Sequence, residues 1–533
     1  MADQGPELSI RFHGAAHTVT GSCTELALGD HRLLIDCGLF QGSRSLETLN
    51  HGGFDFAPDR IDAVILTHAH IDHCGLLPKL VANGCEGPIW CTPATADLLE
   101  FMLADAGRIQ ESEASRRNHR RDRSSAQPIQ PLYTEEDAMR AWRRARPIPL
   151  DQWFDPAPGF RVRLWNAGHI LGAASAEVEV AGQRLLFSGD LGPHNKAFEP
   201  DPAAPGGIDY VICESTYGNR DRTRLTIEGR RDLLEQEIKA ALARGGNLII
   251  PSFALERTQE LLLDIARLAD ANRIPNVPVF VDSPLASRAT SVFERHASEL
   301  EDMGGSNVFR HPAIHYVEQT ADSIRLNSMS GAIILAASGM CEAGRIRHHL
   351  KHNLHRRDST ILFVGFQAQG TLGRVILDGA RRVRISGEDI EVEAEIRRID
   401  SYSAHADRGE LHDWIKARFP IRGSLFLNHG EPDASEGLAA LVQPDDPALD
   451  IVIPQIGETY SLSAGLPAKR TATGRPELVA GADWQNDYAD FAANLKRDLA
   501  SVRSAEARRR AIADMRRVLD SYAEWNDKRR GRR

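Results

Sequence analysis

The chain has no apolar run approaching the ~20 residues of a membrane-spanning helix. Its start, MADQGPELSIRFHG, lacks the basic residues and apolar stretch of a signal peptide. A helical membrane protein and a secreted one are therefore not expected, and the cytoplasm is the expected location. Cysteine is sparse: seven residues, an odd number without regular spacing, which argues against a disulfide framework. Cys23, Cys37, Cys91 and Cys213 fall in or beside expected strands, where each suits a small buried hydrophobe. Positive charge is not in excess either, since the formal net charge is −10. A protein that coats nucleic acid through overall charge is thus not indicated, and any polyanion contact must be local. Three stretches qualify: RRNHRRDR at 116–123, RAWRRAR at 140–146 and the terminal DKRRGRR, although a charge run is ordinarily a solvated face. No aromatic stacking series stands out, so backbone contacts with a nucleic acid strand are favoured over base readout.

At 533 residues the chain exceeds one hydrophobic core, and two or more domains are expected. The first two hundred residues carry many short strand-like runs, among them ELSIRFHG, HRLLIDCG, DAVILTH, FRVRLWNAGH and QRLLFSGD. With helical stretches between them, they point to an α/β sandwich of sheets with helices outside. After the Pro/Gly-rich PDPAAPGG the rhythm becomes strand–helix alternation, through DYVICES, GNLIIPSF, PVFVDSP, GAIILAAS and STILFVGF. That reads as a parallel, Rossmann-like domain. No Gly-rich fingerprint follows its first strand, so no nucleotide cofactor is indicated. β-rich sequence then returns with EVEAEIRRIDSYSAH, GSLFLNHG and DIVIPQIGETYSL. The expected divisions are 1–208, 209–395 for the inserted domain, 396–465 for the return, and 466–533 for a linker and basic amphipathic helical tail. In that tail Tyr488, Phe491, Leu495, Leu499 and Val502, then Ile512, Met515, Leu519 and Tyr522, recur at helical spacing. Such a stripe suits a helix docking on the body or on a second copy, and a homodimer is compatible with it.

LTHAHIDHCG at 66–75 places three histidines and an aspartate within six positions. The apolar run before it reads as a buried strand and the sequence after it as a helix, so the cluster sits on a strand-to-helix loop. Imidazole and carboxylate are the ligands that suit zinc and similar divalent ions. Crowded imidazoles without a metal would repel one another once protonated. One ion could not use His68, His70, Asp72 and His73 together comfortably, so the spacing suggests two metals side by side. Three other expected strands end in a ligand-type residue beside a glycine: RLWNAGH at His169, RLLFSGD at Asp190 and SLFLNHG at His429. Asp36 in LLIDCG suits orienting a ligand from behind.

The order Asp36, HAHIDH, His169, Asp190 resembles the metallo-β-lactamase fold. CESTYG around Glu214, SYSAHAD around His405 and NHGE around His429 resemble the three further motifs of its β-CASP group, as do PSFALERTQELL, SGMCEAGRIRHHL and GFQAQGTLGR. The likeness spans residues 8–462 and is strongest to ribonucleases related to the nuclease subunit of the cleavage and polyadenylation complex and its bacterial and archaeal relatives. It implies an αββα sandwich with an inserted Rossmann-like β-CASP domain and a C-terminal helical extension. It also implies two zinc ions, one on His68, His70 and His169 and the other on Asp72, His73 and His429, with Asp190 bridging.

The implied activity is hydrolysis of single-stranded RNA, with Asp72 also orienting the nucleophile, His405 as the acid for the leaving oxygen, and Glu214 orienting His405. The family's chemistry implies a product with a 5′-phosphate and a 3′-hydroxyl. In AASGMCEAGR and GFQAQGTLG, small residues after apolar strands make Ser338, Gly339, Arg345, Gln367 and Thr371 candidates for substrate binding. Two other readings stay open: a hydrolase of a different ester, for which His405 is dispensable, and a non-catalytic RNA-binding scaffold. DNA as substrate, and endonuclease against 5′-to-3′ exonuclease action, stay open too.

Overall fold

Period-two alternation along the first strands makes one face of each apolar: in Leu8–Phe12, residues Leu8, Ile10 and Phe12 are buried and Ser9 and Arg11 are not fully so. In the computed structural model, residues 6–475 are described except 43, 121–127, 223–225, 302–306, 366 and 368–369, and beyond them 495, 499, 501–502 and 504–530. An eight-stranded sheet runs in the order Lys469–Ala472, Thr459–Leu462, Leu8–Phe12, Thr24–Leu28, His31–Ile35, Ala63–Ile65, Ile89–Cys91, Ala145–Pro147. A seven-stranded sheet runs Asp450–Val452, Ser424–Asn428, Tyr210–Glu214, Gln183–Phe187, Ala174–Val180, Phe160–Asn166, Trp153–Ala157. Their inner faces share a core in which Phe12, Phe426 and Tyr460 meet at centroid distances of 5.2–6.2 Å. Helices Leu77–Ala82, Pro93–Arg120 and Glu135–Trp142 cover the outer face of the first sheet, and Arg408–Lys416 and Pro432–Val442 that of the second.

The inserted domain is a six-stranded sheet in the order Ile314–Tyr316, Val279–Val281, Ile333–Ala336, Leu248–Pro251, Thr360–Phe363, Glu395–Arg398, parallel throughout. Leu248–Pro251, Ile333–Ala336 and Thr360–Phe363 are buried along their whole length, because helices cover both faces. Tyr210–Glu214, which the sequence groups with this domain, instead pairs in parallel with Gln183–Phe187 and Ser424–Asn428 in the second sandwich sheet. A fully buried strand before a helix reads the same whether it ends one sheet or begins the next. Likewise Lys469–Ala472, within the expected linker, is an edge strand on Thr459–Leu462.

All seven cysteines are buried and free. No helix among the described residues is long and apolar enough to cross a membrane. The tail contains a helix, Ala505–Arg530, on which Ile512 and Val518 are exposed. Tyr488 and Phe491 lie outside the described residues, as do the side chains of Leu519 and Tyr522.

One buried ionic cluster ties the start of the chain to the sandwich. His13 Nδ1 lies 2.6 Å from Asp55 Oδ1 and its Nε2 3.1 Å from Glu25 Oε2. Burial favours neutral imidazole, but the two carboxylates outweigh it and raise His13 to about 9. A raised folded value contributes stability that is fully present below the unfolded value of ~6.5 and is lost as pH rises through the folded one, at most about 3 kcal/mol. The melting temperature is therefore expected to fall between neutral pH and pH ~9.5, and to fall less in His13→Gln. An equal fall in both proteins contradicts the assignment.

Candidate active site

Four chain segments converge at one end of the sandwich. Strand Ala63–Ile65 ends just before His68, and the helix Ile71–Cys74 that follows carries Asp72 and His73. The turn is held by close backbone approach: a Cβ on Gly38 would lie 1.6 Å from the Asp72 carbonyl oxygen, so no side chain fits there. His169 follows strand Phe160–Asn166, Asp190 follows Gln183–Phe187, and His429 follows Ser424–Asn428 with φ 51°.

The side chains form two groups that share Asp190. In one, His68 Nε2 and His169 Nε2 each lie 3.1 Å from His70 Nδ1, and 3.6 and 3.5 Å from Asp190 Oδ2. In the other, His73 Nε2 lies 3.1 Å from His429 Nε2 and 3.2 Å from Asp190 Oδ1, with Asp72 Oδ2 3.9 Å from His429 Nε2. Ligand atoms about 2.0–2.1 Å from a tetrahedral ion sit about 3.3–3.4 Å apart, so both groups fit a divalent metal. The ring protons support the fit. His169 Nδ1 faces the Ala404 carbonyl at 2.9 Å and so carries the proton, which leaves Nε2 a lone pair. His73 Nδ1 lies 2.7 Å from Asp36 Oδ2, which directs its Nε2 inward in the same way. Asp190 Oδ1 is buried without a hydrogen-bond donor, as suits a ligand oxygen.

Burial drives His68 and His169 well below the ordinary imidazole range and His70 to about 4, keeping them neutral as ligands. His73 is held well above that range in spite of burial, because Asp190 and Asp36 favour positive charge at this point. Asp190, equally buried, stays well below the carboxylate range because His429 and His73 surround it. Asp36 is itself fixed, accepting from Thr67 N at 2.8 Å, Thr67 Oγ1 at 3.0 Å and Ser22 Oγ at 3.1 Å. His405 sits beside the cluster, its ring 4.5 Å from that of His169 and its Nδ1 3.5 Å from Glu214 Oε2 and 3.8 Å from Asp190 Oδ2. Burial lowers its pKa, but Glu214 and then Asp190 raise it further, for a net upward shift. Glu214 Oε1 accepts from Leu191 N at 2.5 Å, which anchors the carboxylate.

Comparison with known proteins agrees with this geometry. The metallo-beta-lactamase superfamily profile matches residues 18–243, the Beta-Casp domain 258–376, and the Zn-dependent metallo-hydrolase RNA specificity domain 389–454. Ribonuclease TTHA0252 of Thermus thermophilus is 36% identical over 438 residues, 80% of this chain and 94% of that protein. The chain belongs to the β-CASP family of metallo-β-lactamase-fold hydrolases. Transcription termination factor FttA of Cenarchaeum symbiosum is 31% identical, covering 82% of this chain and 68% of that protein. The RNase J-like protein of Methanocaldococcus jannaschii is 29% identical over 79% and 92%.

In the β-CASP domain the candidate substrate residues divide. Ser338 and Gly339 form the turn after Ile333–Ala336, where Ser338 Oγ accepts from Ala343 N at 3.3 Å and Gln367 Nε2 donates to the Gly339 carbonyl at 2.9 Å. Thr371 caps helix Leu372–Leu377. Arg345 is engaged inside its own domain: its guanidinium donates to Asp282 Oδ1 at 2.6 Å and to the carbonyls of Val317 and Glu318. His349 is buried, with its Nε2 2.6 Å from Asp282 Oδ2. Both fix the loop from within.

Sequence reasoning missed Thr216, whose Oγ1 lies 3.2 Å from His429 Nδ1, and Tyr217, whose ring meets His405 edge-on at 5.7 Å. Both lie within the CESTYG motif, which was the available signal. Asp36→Asn keeps the shape and removes the charge behind His73, and is expected to weaken metal binding about 10–100-fold in chelator competition. Unchanged affinity contradicts the orienting role.

Proposed function

We propose that this protein is a zinc-dependent ribonuclease that hydrolyses phosphodiester bonds of single-stranded RNA at a two-zinc centre. The observation that carries the reading is the Asp190 carboxylate, whose two oxygens face separate ligand groups, with the His405–Glu214 pair against the same carboxylate. His68, His70 and His169 would hold one ion and Asp72, His73 and His429 the other, with Asp190 between them. Ions bound there supply Lewis-acid stabilisation of phosphoryl charge and lower the pKa of water towards ~7.

The chain's own groups do the rest. Asp72, less buried than His68, His73 and His429, would orient the attacking water. Glu214 faces Nδ1 of His405 and leaves Nε2 as the ring atom from which a proton can reach the leaving oxygen. The raised pKa of His405 favours the protonated form that this step requires. Ser338, Gly339, Gln367 and Thr371 are proposed to meet the substrate backbone from the β-CASP side, with Arg345 holding their loop in place. RNA as the substrate class is supported by the ribonuclease among the relatives and by the RNA specificity profile over 389–454.

The test is cleavage of a 5′-labelled single-stranded RNA, with a matched DNA, by zinc-loaded wild type, Asp72→Ala and His405→Ala. Wild type is expected to cut RNA to products with 5′-phosphate ends and Asp72→Ala to be inert. His405→Ala is expected to be slowed about 10²–10⁴-fold with its zinc retained. RNA bound equally by wild type and Asp72→Ala and cut by neither contradicts the enzyme reading. Loss of zinc from His405→Ala contradicts the acid role.

A further inference from the structure

The loop after Asp190 crosses from the sandwich into the β-CASP domain. Phe198 is fully buried, its ring 5.7 Å from Phe293 and 5.9 Å from Phe309, and its carbonyl accepts from Glu301 N at 2.7 Å. Asn195 and Phe198 take φ of 57° and 76°, a left-handed conformation that side-chain-bearing residues keep only where their surroundings hold them. Between them lies Lys196, also buried. Its Nζ pairs with Glu256 Oε1 at 2.6 Å and donates to the His169 carbonyl. Glu256 belongs to the other domain, immediately before helix Arg257–Asp270, and sits at φ 69°. Its second oxygen accepts from Leu171 N at 3.2 Å. The two residues therefore grip the segment His169–Leu171 through its backbone, one on either side of Ile170.

A buried ion pair is a poor way to gain stability, because desolvation offsets the attraction and apolar side chains join domains as well. Here the pair acts on the backbone of a metal ligand, and one partner holds an unfavourable φ to do so. We propose that Lys196 and Glu256 are positioning residues that make ion binding at His68, His70 and His169 depend on the seating of the β-CASP domain. The inference rests on the two-ion reading of the centre. The second position, on Asp72, His73 and His429, is built from sandwich elements and Thr216, and does not depend on this grip.

The test is chelator competition for zinc on the full chain, read for both ions, with His169→Ala and His429→Ala marking which step belongs to which position. Lys196→Met is expected to weaken the His169 step about 10–100-fold and leave the other within about twofold. The double variant Lys196→Met/Glu256→Gly removes both charges and eases the φ of residue 256, and is expected to stay folded by circular dichroism while the His169 step remains weak. An unchanged His169 step in either variant, or equal weakening of both steps, overturns the proposal. Wild type that takes up one ion contradicts the two-ion reading instead. Whether Lys196→Met weakens that ion, if His169→Ala removes it, still decides the positioning role.

Discussion

The carboxylate of Asp190 lies between two sets of buried imidazoles, and the architecture follows from the need to assemble them. Such a concentration of polar side chains is costly out of water unless each is paired or bound. Asp36, Thr67 and the Ala404 carbonyl answer that need from behind, each holding the ring nitrogen that does not face the centre, and Thr216 Oγ1 lies 3.2 Å from His429 Nδ1. The inward nitrogens are left available to a cation, an orientation that hydrogen bonds to the outer ring nitrogen impose in metal sites generally.

The sandwich places the seven proposed ligands just beyond strand ends. Six follow Ala63–Ile65, Phe160–Asn166 and Gln183–Phe187, and the seventh, His429, follows Ser424–Asn428 after the β-CASP insertion. The insertion leaves after Tyr210–Glu214 and returns to the neighbouring parallel strand Ser424–Asn428. Glu214 and His429 therefore end adjacent strands of one sheet, although a whole domain separates them in sequence. His405 arrives on the returning segment, and its neighbour Ala404 holds the His169 ring. The segment that returns from the inserted domain thus helps to complete the centre.

Much of this was legible in the sequence because ligand-type residues stood at strand ends beside glycine, and because the His68–His73 cluster is local. The α/β sandwich and the parallel inserted sheet followed from period-two alternation giving way to alternating strands and helices. The domain boundary was not legible, since the buried strand Tyr210–Glu214 has the same apolar run whichever sheet it joins. Nor were the long-range partners: Lys196 reaches His169 across 27 residues, Glu256 reaches Leu171 across 85, and Thr216 reaches His429 across 213. Nothing local marks a lysine or threonine for such a contact. Arg345 carried the opposite lesson: the sequence makes it a candidate for substrate binding, and the fold turns it onto Asp282.

Anomalous diffraction at the zinc edge, from crystals of the zinc-loaded protein, tests the proposed sharing of Asp190 by two metal ions. Two peaks are expected, one enclosed by His68, His70, His169 and Asp190 and the other by Asp72, His73, His429 and Asp190. A single peak, or peaks that leave Asp190 without contact to both, contradicts the account.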